Sequence, residues 1–191
     1  VELLLAPKHS ENDRQVTASW FTSASKEPLN SFGLKTILAM KDLKDTSNFD
    51  AIILIGGPEP INYLDENLKK WISSHLHRNR PIYACGSATE ALIKLGFLDN
   101  RKVAVHHDTL ERLKRKYPTV SFKETIFEFD RGILTFATGS ACIDAFATLA
   151  TQVFSKDKTN EIFRHLLTQN PLNAGQLQRS TLETLIKHKN S

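Results

Sequence analysis

The residues best suited to chemistry lie in Arg80-Pro-Ile-Tyr-Ala-Cys-Gly-Ser-Ala-Thr-Glu-Ala-Leu-Ile-Lys-Leu-Gly96, which reads as an apolar strand ending on Cys85 and turning at once into a helix. That turn would place Cys85 on a strained elbow, close to the first amides of a helix, whose positive end favours a thiolate over a thiol. A thiol held there can act as a nucleophile or sense a ligand. A cysteine at a strand end can equally be a small core residue, because cysteine is among the most buried residue types. A second candidate is Gly56-Gly57-Pro58-Glu59-Pro60, directly after the apolar run Asp50-Ala-Ile-Ile-Leu-Ile55. Glycines there permit tight backbone and leave amides open to a ligand, although a plain turn has the same composition.

Other polar residues carry weaker signals. His106 and His107 precede Asp108. Neighbours on a strand point to opposite faces and no third ligand follows, so no metal is expected. His75 and His77 are two apart on a helix, do not form a chelating pair, and read as surface residues. Cys85 and Cys142 sit in separate apolar segments without paired spacing, which reads as two reduced thiols, with Cys142 a packing residue. No Walker A loop, dinucleotide fingerprint, H-E-x-x-H pair or G-x-S-x-G elbow is present in the sequence.

The elements that must position these residues follow from hydrophobic period. The 191 residues, 40% hydrophobic and 24% charged, suit one domain with a proper core. Short apolar strands alternate with amphipathic helices, the pattern of an α/β domain with a mainly parallel central sheet and helices on both faces. The continuously apolar run 50–55 reads as a strand covered on both faces. Leu64, Leu68, Trp71, Ile72 and Leu76 recur at helical spacing across 63–78. Asp108 and Glu111 resemble a capping box for a helix presenting Leu110, Leu113 and Tyr117. Asp130-Arg131-Gly132 reads as a hairpin turn between 125–129 and 133–137, within a segment 120–138 of two or three strands. A long helix is expected over 139–154 and a last one over 159–168, followed by an interruption and a polar tail.

Charge and hydropathy narrow the classes. The net charge of +4 and pI near 9.1 are modest, and the densest basic cluster, Arg112, Lys114, Arg115 and Lys116, reads as a solvated helix face. No apolar run of about 18 residues is available to span a bilayer, and Val1 to Pro7 lacks a signal peptide's basic flank, so a cytoplasmic protein is expected.

Three segments in order resemble the PfpI/ThiJ superfamily, with its class I glutamine amidotransferase-like, flavodoxin-like fold. They are Phe49 to Gly57, Pro81 to His106 and Leu134 to Asp144. Within that superfamily the likeness is to the amino-terminal sensor domain of AraC/XylS-type transcriptional regulators. Asn173-Ala-Gly-Gln-Leu-Gln-Arg179 is similar to the signature that precedes their DNA-binding domain. The resemblance covers roughly residues 30 to 180. It implies a sensor domain over 1–171 and, over 172–191, the start of a linker to a DNA-binding domain absent from this chain. It matches Cys85 to the family's elbow cysteine, His106 to its nearby histidine, Gly56 and Gly57 to an amide cradle, and Asp144 to an aspartate opening the long helix. In the hydrolytic members a histidine commonly follows the cysteine; here Gly86 does.

Two functions follow from the resemblance. One is a ligand-sensing, dimerising regulatory domain of an AraC-type regulator, which meets DNA through a separate domain and binds a small effector near Gly56, Gly57, Cys85, Gly86, His106 and Asp144. The other is a stand-alone cysteine-dependent hydrolase or glyoxalase-like enzyme, with Cys85 as nucleophile and His106 as its base. Neither calls for a cofactor or a metal.

Overall fold

The most apolar short segments of the chain form the centre of the molecule. The computed structural model describes residues 49–56, 66–137 and 141–165, together with four two-residue strands further upstream. Those strands are β1 (Phe21–Thr22), β2 (Asn30–Ser31), β3 (Leu34–Lys35) and β4 (Lys41–Asp42), with β1 parallel to β4 and β2 antiparallel to β3. The main sheet has the order β5 (Ile52–Ile55), β6 (Ile82–Cys85), β10 (Ile133–Phe136), β9 (Phe127–Asp130). β5, β6 and β10 are parallel, and β9 closes the order as an antiparallel edge. A separate parallel pair joins β7 (Lys102–Ala104) to β8 (Ser121–Lys123).

Register assigns side chains to faces. Ile55, Cys85, Phe136 and Phe127 lie in one row across the sheet, and Ile53, Tyr83, Leu134 and Phe129 in another two residues away, so both rows point the same way. α4 (Ala141–Val153) covers this face, with Ala141 and Ala145 packed among Tyr83, Phe127, Leu134 and Phe136. The small alanines let the helix approach the aromatics. The opposite face, carrying Ile52, Ile82, Ala84 and Ile133, is covered by three helices. These are α1 (Glu66–His77), α2 (Ser87–Lys94) and α3 (His107–Lys116), which contribute Trp71 and Ile72, Ala88, Leu92 and Ile93, and Leu110 and Leu113. α5 (Lys156–His165) packs Ile162 against Ala150 of α4. This is the expected mainly parallel sheet with helices on both faces. No described helix is long and apolar enough to cross a membrane.

Several expectations are corrected. β5 is not covered on both faces, since Ile55 is 63% exposed. His75 is buried, with Nδ1 donating to the Trp71 carbonyl at 3.1 Å and its ring edge-on to the indole; a helical turn N-terminal to it supplies the partner that a buried imidazole requires. His77 is exposed, as expected. The capping box is not formed. α3 starts one residue before Asp108, and His106 is the N-cap, its ring nitrogen accepting from the Asp108 amide at 3.4 Å. The last helix begins at Lys156, three residues earlier than expected. The proposed boundary at 171/172, the signature at 173–179 and Gly57 lie outside the described residues.

The hairpin forms where expected, with Asp130 in β9 and a turn of two residues in place of three. Ile133 pairs with Asp130 across Arg131 and Gly132, whose φ values of 48° and 85° make the two-residue turn that matches strand twist. Segment 120–138 contains three strands, β8, β9 and β10. β7 is tied to this hairpin by side chains, the Lys102 amide donating to the Asp130 carboxylate at 2.8 Å and the Ala104 amide to the buried Thr135 hydroxyl at 2.9 Å. α2 ends with the Gly96 amide on the Ile93 carbonyl and the Phe97 amide on the Leu92 carbonyl, a Schellman closure that uses the φ of 80° at Gly96.

Candidate functional site

The C-terminal ends of β5 and β6 meet the N-terminus of α2, where ligands of open α/β sheets commonly bind. The sharp residue at this junction is Gly86, with φ 60° and ψ −133°; Cys85 is still in the strand, in register with Ile55 and Phe136. The elbow expected at Cys85 is therefore one position later, and the side chain that a nucleophile elbow would project is a hydrogen atom. The strand ends on Cys85 as expected, because Cys85 continues the β6 ladder to both neighbours.

That register sends the Cys85 side chain to the α4 face, away from the α2 terminus. Its Sγ lies 3.5 Å from Sγ of Cys142, in the first turn of α4. Both thiols are half-buried. The hydrogen bond with Cys142, then burial, then the nearby charge of Cys142 push the Cys85 thiol far above the ordinary thiol range. Cys85 is thus a protonated thiol at neutral pH. Tyr83, two residues before it on the same face, is pushed up to about 12 by burial.

His106 sits elsewhere in the hydrogen-bond pattern. Its Nδ1 faces the Asp108 amide and carboxylate, each at 3.4 Å, its carbonyl accepts from the Thr109 hydroxyl, and its ring lies 4.2 Å from that of His107. No hydrogen bond joins His106 to Cys85. The strand ends at Ala104, so alternation does not separate the two imidazoles, and the expectation of opposite faces fails. Donor atoms of His106, His107 and Asp108 lie within 4.8 Å of one another and are the described group best able to face one cation, although the carboxylate already reaches His107 at 3.1 Å. Asp144 is buried at 6% exposure in the first turn of α4, two residues past Cys142.

The glycine cradle is closed on one side. The Gly56 amide donates to the Cys85 carbonyl at 3.0 Å, so it is not free to hold an oxyanion. A Cβ at Gly56 would overlap the Ala88 nitrogen and the Ser87 hydroxyl, so the strand end reaches the α2 terminus only because this residue is glycine. Ser87 Oγ is buried there without a hydrogen-bond partner. The Thr89 hydroxyl bonds back to the Ala84 carbonyl at 3.4 Å and fastens the first turn of α2 to β6. Sequence reasoning passed over Ser87, whose signal was its place directly after Gly86, and missed the thiol pair, for which sequence spacing held no signal.

The basic cluster on α3 is also more than a solvated face. Arg112 and Lys116 converge on Glu90 of α2, which is 5% exposed, at 2.8 and 3.2 Å.

Known proteins share this architecture. In sequence, the HTH-type transcriptional regulator CdhR of Pseudomonas aeruginosa is 25% identical over 103 residues, covering 54% of this chain; the chain spans only 31% of that regulator's length. An AraC family transcriptional regulator from Pseudomonas putida superposes with a TM-score of 0.59 at 16% identity, over 71% of this chain and 72% of that one. Drosophila melanogaster DJ-1beta superposes with a TM-score of 0.58 at 18% identity, over 70% and 73%. At these identities the two superpositions speak for the fold. The DJ-1/PfpI family model matches residues 11–152, most of the chain and all of the site's junction, and the chain belongs to the DJ-1/PfpI family.

Proposed function

We propose that this chain is the ligand-sensing regulatory domain of an AraC-type transcriptional regulator, a cytoplasmic protein that dimerises through this domain and meets DNA through a separate one. The observation that carries the reading is the state of Cys85: its thiol is held protonated against Cys142, shares no hydrogen bond with His106, and leaves the elbow position to Gly86. A nucleophile needs an adjacent base or a lowered pKa, and this thiol has neither. The sequence likeness to a helix-turn-helix regulator supports the same direction.

The effector site of this reading is at the ends of β5 and β6, around Gly56, Gly57, Cys85, Gly86, His106 and Asp144, the position where ligands of open α/β sheets commonly bind. Effector binding there biases the arrangement of the dimer, and hence of the attached DNA-binding domains. The test is a thermal-shift screen of small metabolites on this chain, paired with ester, thioester and 2-oxoaldehyde turnover assays. A ligand that raises Tm on the parent chain but not on a folded Gly86→Val variant is the expected result. Turnover abolished by Cys85→Ser would overturn the reading in favour of the hydrolase or glyoxalase-like enzyme.

A further inference from the structure

Cys85 and Cys142 are 57 positions apart in sequence, yet their sulfurs touch at 3.5 Å. A disulfide bond is about 2.05 Å long, so closure asks for a movement of about 1.5 Å shared between two side chains. One thiol ends β6 and the other lies in the first turn of α4, so a bond between them would link two elements without crossing a third. We propose that Cys85 and Cys142 form a reversible dithiol–disulfide site that is oxidised by small hydroperoxides.

The two sulfurs have different roles. Cys142 lies in the first turn of α4, where unpaired backbone N–H groups and the helix dipole favour negative charge. Cys85 keeps its proton, and its sulfur lies in hydrogen-bond contact with the Cys142 sulfur. Cys142 therefore attacks. Its thiolate takes one oxygen of the hydroperoxide, the O–O bond breaks, an S–O bond forms, and the departing hydroxide or alkoxide takes up a proton. The Cys85 sulfur then attacks the Cys142 sulfenic acid. An S–S bond forms, the S–O bond breaks, and the Cys85 proton leaves with the hydroxyl group as water. Two thiols have lost two electrons and two protons, and the peroxide has become water plus water or an alcohol. A low-molecular-weight thiol reverses the step by two exchanges.

The bond would tie the strand end beside Gly86 to the helix turn that carries Asp144, the two elements flanking the proposed effector site. The chemistry itself does not depend on that site binding an effector. A hydroperoxide that converts this pair prevents the deeper oxidation to which an isolated thiol is exposed.

The test treats the reduced chain with stoichiometric hydrogen peroxide and follows intact mass, iodoacetamide labelling and peptide mapping without reductant. The expected product is a monomeric species lighter by about 2 Da, with both thiols blocked, a Cys85–Cys142 linked peptide, and full recovery by dithiothreitol. In Cys85→Ser the resolving thiol is gone, so a dimedone-reactive sulfenic acid should accumulate on Cys142. Mass gains of two or three oxygens on either cysteine of the parent chain, or disulfides only between chains, would overturn the proposal. The parent-chain result stands without any variant folding, and failure of an effector to bind would leave it unchanged.

Discussion

The Glu90 carboxylate on α2 is gripped at both oxygens by the Arg112 guanidinium on α3, with Nη2 to Oε2 at 2.8 Å and Nη1 to Oε1 at 3.4 Å. Lys116 and the Tyr117 hydroxyl add bonds to Oε1 at 3.2 and 3.4 Å. Two of the three helices that cover one face of the sheet, α2 and α3, are thereby pinned to each other.

Arg112→Ala should destabilise the fold, because it leaves a nearly buried carboxylate with fewer donors. Hydrogen bonds to charged groups contribute about 1.5–3 kcal/mol, and the half-exposed guanidinium places this one toward the lower end. Urea unfolding measures the loss. Glu90→Gln combined with Arg112→Ala should cost less than the sum of the two single changes, since the orphaned charge is then absent. A loss below about 0.5 kcal/mol for Arg112→Ala would show that the pair is ornamental.

The same carboxylate sets a pH dependence. The Arg112 bond, opposed by burial and reinforced by Lys116, holds Glu90 below the usual glutamate range. The unfolded chain binds this proton more readily, so the contribution is fully present above about pH 4.5 and is lost as pH falls through the lower folded value. Thermal melts from pH 7 down to pH 3 should show Tm falling in the acid limb, and Glu90→Gln should flatten that limb. Equal limbs for the two proteins would assign the acid sensitivity to other carboxylates.

Gly86 holds φ 60° and ψ −133°, a conformation that costs an L-residue about 1–3 kcal/mol. Gly86→Ala is expected to lower stability by that amount in chemical denaturation. Gly86→Cys in a Cys85→Ala background moves the thiol to the elbow itself, at the α2 N-terminus. Its alkylation rate at pH 7.5 should exceed that of native Cys85 by about tenfold or more, because thiolate is favoured at a helix N-terminus. Comparable rates would mean that the junction does not activate thiols.

Gly56→Ala should cost about 1–3 kcal/mol, the usual range for forcing extra volume into a packed site. The new methyl would meet the Ala88 nitrogen and the Ser87 hydroxyl. Adding Ser87→Ala removes one of those obstructions and a buried hydroxyl without a partner, and should restore part of the loss. Differential scanning calorimetry of the two variants decides it; a Gly56→Ala Tm within 1 °C of the parent would rule out the close approach.

Gly132 carries φ 85° in the two-residue turn, with ordinary room for a methyl beside Leu76. Gly132→Ala therefore tests conformation alone, and about 1 kcal/mol should be lost. Arg131→Asn, which tolerates the left-handed region better, should be neutral or slightly stabilising for the turn, less the loss of the Arg131 bond to the Asn100 carbonyl. Hydrogen exchange of the Ile133 and Asp130 amides reads the turn directly.

Local pattern was enough to derive the class of fold and most of its parts. Apolar runs with flanking turn residues located β5, β6 and β10, helical period located α1, α3 and α4, and Asp130-Arg131-Gly132 announced its hairpin. Each depends on neighbours in sequence, and hydrophobic spacing and turn chemistry are properties of neighbours. The place of the elbow was not decided that way: β6 ends on Cys85 as expected, but Ile55 and Phe136 pair with Cys85 from either side, so the sharp backbone falls on Gly86. Burial of His75 depends on the indole set edge-on to it and on the packing of Phe49 against that indole. The role of Arg112 depends on Glu90, and that of Cys142 on Cys85, partners 22 and 57 positions away. The sequence determined which segments are strands, helices and turns; the tertiary structure decided which polar groups meet, because ladder register and helix placement act between residues that no local spacing connects.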